Sequence, residues 1–68
     1  MKYNHEFKES SALASASYDD ETSEMIIYFL NSRDYVYKDV LYNTYQDLIK
    51  AASPGKYFAS IKKDLVLK

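Results

Sequence analysis

The amino-acid sequence predicts an α+β domain: a three-stranded antiparallel β-meander followed by two helices packed on one face of the sheet. Up to residue 40, segments of strand-forming residues are separated by polar turn signals. After residue 40, apolar residues recur at spacings of three and four, which is the period of an α-helix. Strands and helices in separate blocks are typical of α+β folds. A chain of 68 residues has room for one domain, which we expect over residues 1–68 with its core at about 10–66.

The first predicted strand covers residues 10–18, and the polar residues 1–9 before it are expected to be frayed or to form a short edge strand. Serine competes for the hydrogen bonds of a helical backbone, so this serine-rich segment favours a strand despite its alanines. Strict alternation places Leu13 on one face of the strand. The opposite face then carries Ala14, Ala16 and Tyr18. The polar residues 19–22 predict a turn after the strand.

The second predicted strand, residues 24–30, consists of strand-forming residues between two turn signals. Both of its faces are apolar, as expected for a central strand that is covered on both sides or that meets a partner chain with its second face. A connection of about three residues leads to a third strand, residues 34–40, and the short connection predicts a hairpin.

The first helix is predicted over residues 41–52 because an apolar stripe follows the helical period. This stripe consists of Leu41, Tyr45, Leu48 and Ala52, widened by Ile49. Ser53 is a favourable N-cap and Pro54 suits the first helical position, so a second helix is predicted over residues 54–62. Residues 65–66 are expected to dock as an extended tail.

Composition excludes several chemistries. There is no cysteine and a single histidine, His5, so we expect no disulfide, no zinc site and no Ser–His–Asp arrangement. The acidic residues 19–24 lack the glycine that a calcium loop needs for its sharp turn. We therefore expect a protein that is not an enzyme and has no cofactor. The longest apolar run, residues 25–30, is too short to cross a membrane, so we expect a cytoplasmic location and no membrane partner.

Charge is distributed unevenly: residues 1–47 carry a net charge of −5 and residues 48–68 a net charge of +4. An anionic partner would therefore approach the second part. Within it, the second helix begins with unpaired amides, Gly55 allows close approach to the backbone, and Lys56 adds a positive charge. This pattern predicts a phosphate or carboxylate site. Its predicted residues are Ser53, Gly55, Lys56, Tyr57 and Lys62. The alternative interpretation is an ordinary capped turn between two helices.

Three tyrosines on the predicted sheet, Tyr18, Tyr35 and Tyr37, extend this hypothesis. Aromatic side chains beside a basic surface are typical of sites for single-stranded nucleic acids and nucleotides, because the bases stack on the rings. We therefore predict that these tyrosines belong to the ligand surface. The alternative is that their rings pack beneath the helices as part of the core.

A set of residues spread over 10–62 matches the pattern of a known family. The most specific segment runs from Ala51 to Phe58 and contains Ser53, Gly55 and Tyr57. The other matching positions are Ser10, Ser11, Leu13, Tyr18, Asp19, Met25, Ile27, Phe29, Tyr35, Tyr37, Val40, Leu48, Ile61 and Lys62. On these residues the chain resembles the KTSC domain family. It departs from the family pattern at Ser32, where glycine is usual, at Leu41, where proline is frequent, and at Ala59, where a polar residue is frequent.

The resemblance implies a small α+β fold with no established catalytic activity. The family is named for its occurrence at the C-terminus of some lysyl-tRNA synthetases, which suggests RNA as a ligand, and its stand-alone members occur in bacteria, phages and prophages. We therefore expect a non-catalytic binding module for a phosphate-bearing ligand, namely RNA, single-stranded nucleic acid or a small nucleotide. In a phage or prophage, such a module would interact with the host or sequester one of its nucleotides. The alternative is a protein interaction or assembly module with no nucleotide ligand, whose partner is a host protein or, since small cores often need oligomerisation, a second copy of the chain.

Overall fold

The computed structural model describes residues 1–8 and 10–68 and forms one antiparallel sheet with two helices. The strands of the sheet are β1 (Lys2–Glu6), β2 (Leu13–Asp19), β3 (Glu24–Phe29), β4 (Asp34–Lys38) and β5 (Val66–Leu67), in that spatial order. The helices are α1 (Tyr42–Lys50) and α2 (Pro54–Ile61), with a 3₁₀ turn at Lys62–Asp64 before β5. The α+β class and the two helices are confirmed. The predicted number of strands is wrong, because the sheet has five strands instead of three.

Both additional strands lie at the edges of the sheet. β1 pairs with β2 from Lys2 opposite Asp19 to Glu6 opposite Ser15, which confirms the edge-strand alternative for the start of the chain. Residue 9, the last of the predicted polar start, lies outside the described residues. β5 pairs with β4 over two residues, and an ion pair of 2.7 Å between Lys68 Nζ and a Glu24 carboxylate oxygen extends this contact to β3. The predicted extended tail is therefore part of the sheet.

A β-bulge in β2 corrects the predicted facing of Leu13. Leu13 lies opposite Phe29, but Ser15 lies opposite Tyr28, so Ala14 is an extra residue without a partner of its own. The extra residue turns the side chain of Leu13 to the same face as Ala16 and Tyr18, and all three are buried. The prediction that Leu13 points away from Ala16 and Tyr18 was wrong because it assumed an unbroken two-residue period.

The core lies between one face of the sheet and the two helices. Its buried residues are Phe7, Leu13, Ala16, Tyr18, Met25, Ile27, Tyr37, Val40, Tyr45, Leu48 and Phe58. α1 contributes Tyr45 and Leu48, which confirms the middle of the predicted stripe. The ends of the stripe were wrong: Leu41 precedes the helix and is 74% exposed, and Ala52 follows it and is exposed. No helix of the described part of the chain is long and apolar enough to cross a membrane.

The opposite face of the sheet carries the second apolar side of β3. Ile26 and Tyr28 of β3 and Val36 of β4 are half-buried there and stand outside the core cluster. Antiparallel sheets commonly pack one face on the core and leave the other facing solvent. The helices therefore cover only one of the two apolar faces of β3.

Candidate functional site

The connection between α1 and α2 places the start of α2 at the surface. α1 ends at Lys50, Ala51 is extended, and Pro54 is the first residue of α2, as predicted. Ser53 is the N-cap residue, and its carbonyl oxygen accepts a hydrogen bond of 3.0 Å from the Tyr57 amide. Its hydroxyl makes no capping hydrogen bond. The predicted position of the cap is confirmed, while its side chain remains available to solvent.

Two backbone amides at the start of α2 lack an acceptor in the described part of the chain, those of Gly55 and Lys56. Pro54 has no amide hydrogen, and Tyr57 is already bonded to Ser53. Free amides at a helix start carry partial positive charge, which the helix dipole reinforces. The helix start therefore provides two adjacent donors that fit an anion.

A cleft of about 320 Å³ lies in front of these amides. One wall is the start of α2, and the other is the segment Ser10–Ala12 before β2. The two walls approach each other closely, since a β-carbon on Gly55 would lie 3.6 Å from Ala12 Cβ and 3.9 Å from Ser10 Oγ. None of the described residues that line the cleft is acidic, and the one charged residue among them is the exposed Lys56.

Ser10 connects the cleft to the start of the sheet. Its Oγ accepts hydrogen bonds from the amides of Ala12, at 3.2 Å, and Leu13, at 3.0 Å. Both bonds use the oxygen as an acceptor, and among the described residues the hydroxyl hydrogen has no acceptor, so it can be donated to a ligand. Ser10 also borders a second groove of about 360 Å³, whose lining includes Phe7 and Ile49. Ser10 thus offers a hydroxyl donor at the junction of the two grooves.

Comparison with known proteins places this arrangement in a family. The sequence model of the KTSC domain matches residues 9–64, which is most of the chain. The chain belongs to the KTSC domain family. A crystal structure of a KTSC domain protein from Yersinia pestis is similar over 100% of this chain and 96% of that chain, with a TM-score of 0.89 and 25% sequence identity. No curated protein matches the chain.

The structure of this chain brings together only part of the predicted site. Ser53, Gly55 and Lys56 line the cleft, but Tyr57 does not. Its ring is half-buried against the core, and desolvation, followed by the nearby Asp47 carboxylate, raises the pKa of Tyr57. Lys62 is exposed beyond the last turn of α2 and does not line the cleft. It stands six positions after Lys56, which corresponds to about 240° around a helix axis, so the two side chains leave the helix about 120° apart and point in different directions.

The three predicted tyrosines do not form a surface patch in this structure. Tyr18 is 3% exposed and Tyr37 is 7% exposed. The Tyr18 hydroxyl donates a hydrogen bond of 2.6 Å to the Val40 carbonyl oxygen, and burial is the main cause that raises the pKa of Tyr37. Tyr35 is 37% exposed and meets Phe29 edge to face, with ring centroids 5.6 Å apart. Tyr18 and Tyr37 follow the alternative interpretation, in which the rings pack beneath the helices as part of the core.

Sequence reasoning missed the contribution of Ser10, Ser11 and Ala12 to the cleft. These residues stand more than forty positions before Gly55 in this chain, and no local pattern connects the two segments. The one available signal was that Ser10 and Ser11 match the family pattern. Among the described residues, no group of three or more histidine, cysteine or acidic side chains is placed to hold a metal ion.

Proposed function

We propose that this domain is a non-catalytic binding module that holds a phosphate group of RNA, of single-stranded nucleic acid or of a small nucleotide at the start of α2. One observation carries the proposal: the unbonded amides of Gly55 and Lys56 border a cleft with hydroxyl groups on both walls. Backbone amides at a helix start match phosphate oxygens in both charge and geometry. A module of this kind in a phage or prophage would act by sequestering its ligand.

The surroundings of the two amides favour an anion over a neutral ligand. Lys56 adds a full positive charge next to its own amide, and Ser10, Ser11 and Ser53 supply hydroxyl donors around the cleft. The Gly55 side of the cleft is open to close approach because glycine has no side chain there. These residues support binding of the phosphate group and not of a base, because the buried Tyr18 and Tyr37 cannot stack on a base.

An amide-detected NMR titration tests the proposal directly. Inorganic phosphate, a nucleoside monophosphate and a short single-stranded RNA are added separately at low salt. We expect the largest shifts at the Gly55 and Lys56 amides with all three ligands. Affinity for RNA should fall as salt is raised, because lysine contacts to phosphate release counterions. If the amides of Gly55 and Lys56 do not shift with any of the three ligands at low salt, the proposal is wrong.

Two variants test separately the contribution of the Lys56 charge and that of the open space beside Gly55. Lys56→Gln should weaken binding about three- to tenfold, as expected for an exposed charge contact worth about 1 kcal/mol. Lys38→Gln removes another exposed lysine, outside the cleft, and serves as the matched control. Gly55→Ala should also weaken binding, because its new methyl group would project towards Ser10 and Ala12. That methyl group makes ordinary contacts of 3.6 Å or more, so the variant should remain folded and its thermal midpoint should not fall.

A further inference from the structure

The free edge of β1 is the longest unpaired edge of the sheet. Within residues 1–8 and 10–68, β1 (Lys2–Glu6) pairs with β2 alone, whereas the opposite edge, β5, has two residues. Natural edge strands are usually blocked by proline, a bulge, an inward-pointing charge or charged side chains along the edge. β1 has no proline, and its register with β2 is regular at all five positions. Its charged residues, Lys2 and Glu6, disfavour a strand that does not complement them, so the edge is open to a strand of complementary charge.

The hydrogen bonds that flank β1 show which of its backbone groups face outward. The Phe7 amide bonds to the Ala14 carbonyl oxygen at 2.9 Å, and the Met1 carbonyl oxygen accepts a bond of 3.3 Å from the Asp20 amide. Odd-numbered residues thus bond to β2, and in an antiparallel ladder the bonding direction alternates along the strand. The amide and carbonyl groups that remain for the free edge belong to Lys2, Asn4 and Glu6.

From this arrangement we infer that β1 pairs antiparallel with β1 of a second copy of the chain, about a two-fold axis at Asn4. In this register Asn4 lies opposite Asn4 of the second copy, and Lys2 lies opposite Glu6. Each of these residues has its backbone groups on the free edge, so every pair is a hydrogen-bonded pair and the contact forms about six backbone hydrogen bonds. The two sheets would join into one continuous sheet.

Charge complementarity selects this register and this partner. Lys2 and Glu6 are both exposed and, with Asn4, point to the sheet face away from the helices. The two-fold axis brings each lysine directly opposite a glutamate, and opposite charges in that position stabilise an antiparallel pair. A shift of two residues in either direction removes both charge pairs and shortens the ladder, so the strand is self-complementary in one register.

The remaining residues of β1 would also pair. Tyr3 lies opposite His5 of the second copy in the closely spaced, non-hydrogen-bonded position, where side chains approach most closely. Both rings are half-buried on the helix-facing side of the sheet, and Tyr3 already packs against Tyr42 with ring centroids 5.3 Å apart. A contact of five residues is smaller than a standard protein interface, so we expect a weak dimer with a dissociation constant of about 10 μM to 1 mM.

Sedimentation velocity over a wide range of protein concentration tests this inference, with any affinity tag placed after Lys68 so that β1 stays free. We expect a monomer–dimer equilibrium for the natural sequence. Lys2→Glu and Glu6→Lys should each weaken self-association at least fivefold, because each places like charges opposite one another. An equimolar mixture of these two variants should form a mixed dimer about as tight as the natural one, because the charges are complementary again.

Asn4→Pro provides a variant that does not depend on charge. It removes an amide that points to the free edge, and proline is tolerated in an edge strand at such a position. Circular dichroism checks that the variant is folded. A folded variant should be monomeric at all concentrations. The inference is overturned if the natural protein is monomeric at millimolar concentration, or if its dimer persists in Asn4→Pro or is unaffected by both single charge changes.

Discussion

Tyr18→Phe is expected to destabilise the domain without weakening phosphate binding. Tyr18 was predicted as a ligand residue, but it is 3% exposed and its hydroxyl donates a hydrogen bond of 2.6 Å to the Val40 carbonyl oxygen. This bond joins β2 to the segment between β4 and α1. The Tyr18 ring also stacks on Tyr45, with centroids 5.4 Å apart and an interplanar angle of 17°. Phenylalanine keeps the ring and the stacking, so the substitution removes the hydrogen bond alone.

The magnitude follows from the burial of both partners. Val40 is 2% exposed, and the Tyr18 hydroxyl is the one donor to its carbonyl oxygen among the described residues. A buried acceptor that loses its partner costs about 1–3 kcal/mol. At about 0.05–0.15 kcal/mol per residue, a domain of 68 residues has a free energy of unfolding of about 3–10 kcal/mol. The substitution should therefore lower the thermal midpoint by about 5–20 °C.

Urea and thermal unfolding monitored by circular dichroism measure this effect. Tyr35→Phe is the matched control, because Tyr35 is 37% exposed and its hydroxyl makes no hydrogen bond within the described residues. The control should change the free energy of unfolding by less than about 0.5 kcal/mol. If Tyr18→Phe is as small in effect as the control, the bond to Val40 does not contribute as argued. If Tyr18→Phe instead lowers phosphate affinity at unchanged stability, the assignment of Tyr18 to the core is refuted.

Two further predictions concern backbone strain and alkaline pH. Ser32 has a positive φ of 73°, a backbone conformation that favours glycine, and glycine is the usual residue of the family at this position. Ser32→Gly should therefore raise the free energy of unfolding by about 0.5–1 kcal/mol in urea titrations. A decrease would contradict this reasoning. Burial is the main cause that raises the pKa of Tyr37 and Tyr45 above the ordinary value of 10.0, so above that pH the unfolded chain loses protons that the folded domain retains. Tyr37 and Tyr45 should therefore leave the free energy of unfolding unchanged below pH 10 and should lower it as the pH rises from 10 through their folded pKa values. The tyrosinate absorbance of these two residues should then appear together with unfolding. Ionisation of Tyr37 and Tyr45 before any loss of structure would show that these two rings are not protected.

Local signals allowed the sequence to predict the centre of the fold and one wall of the candidate site. β3 was evident from its dense strand-forming residues, and the buried Tyr45 and Leu48 from their helical spacing. The start of α2 was evident from Ser53 and Pro54, because capping and proline preferences act over a few neighbouring residues. Each of these features depends on interactions within one segment, which is the information that a sequence pattern contains.

Tertiary structure alone decided the remaining features, because each depends on residues that are distant in the chain. β5 is a strand only because β4 lies beside it, some thirty residues away in sequence. The bulge at Ala14 exists because Leu13 pairs with Phe29, and it reverses a facing that strict alternation had predicted. Ser10 and Gly55 form one cleft only after the sheet and helices have packed. Tyrosine side chains occur both in cores and at surfaces, so the sequence alone could not show whether Tyr18 is buried. Tyr18 is buried because the helices pack on its face of the sheet.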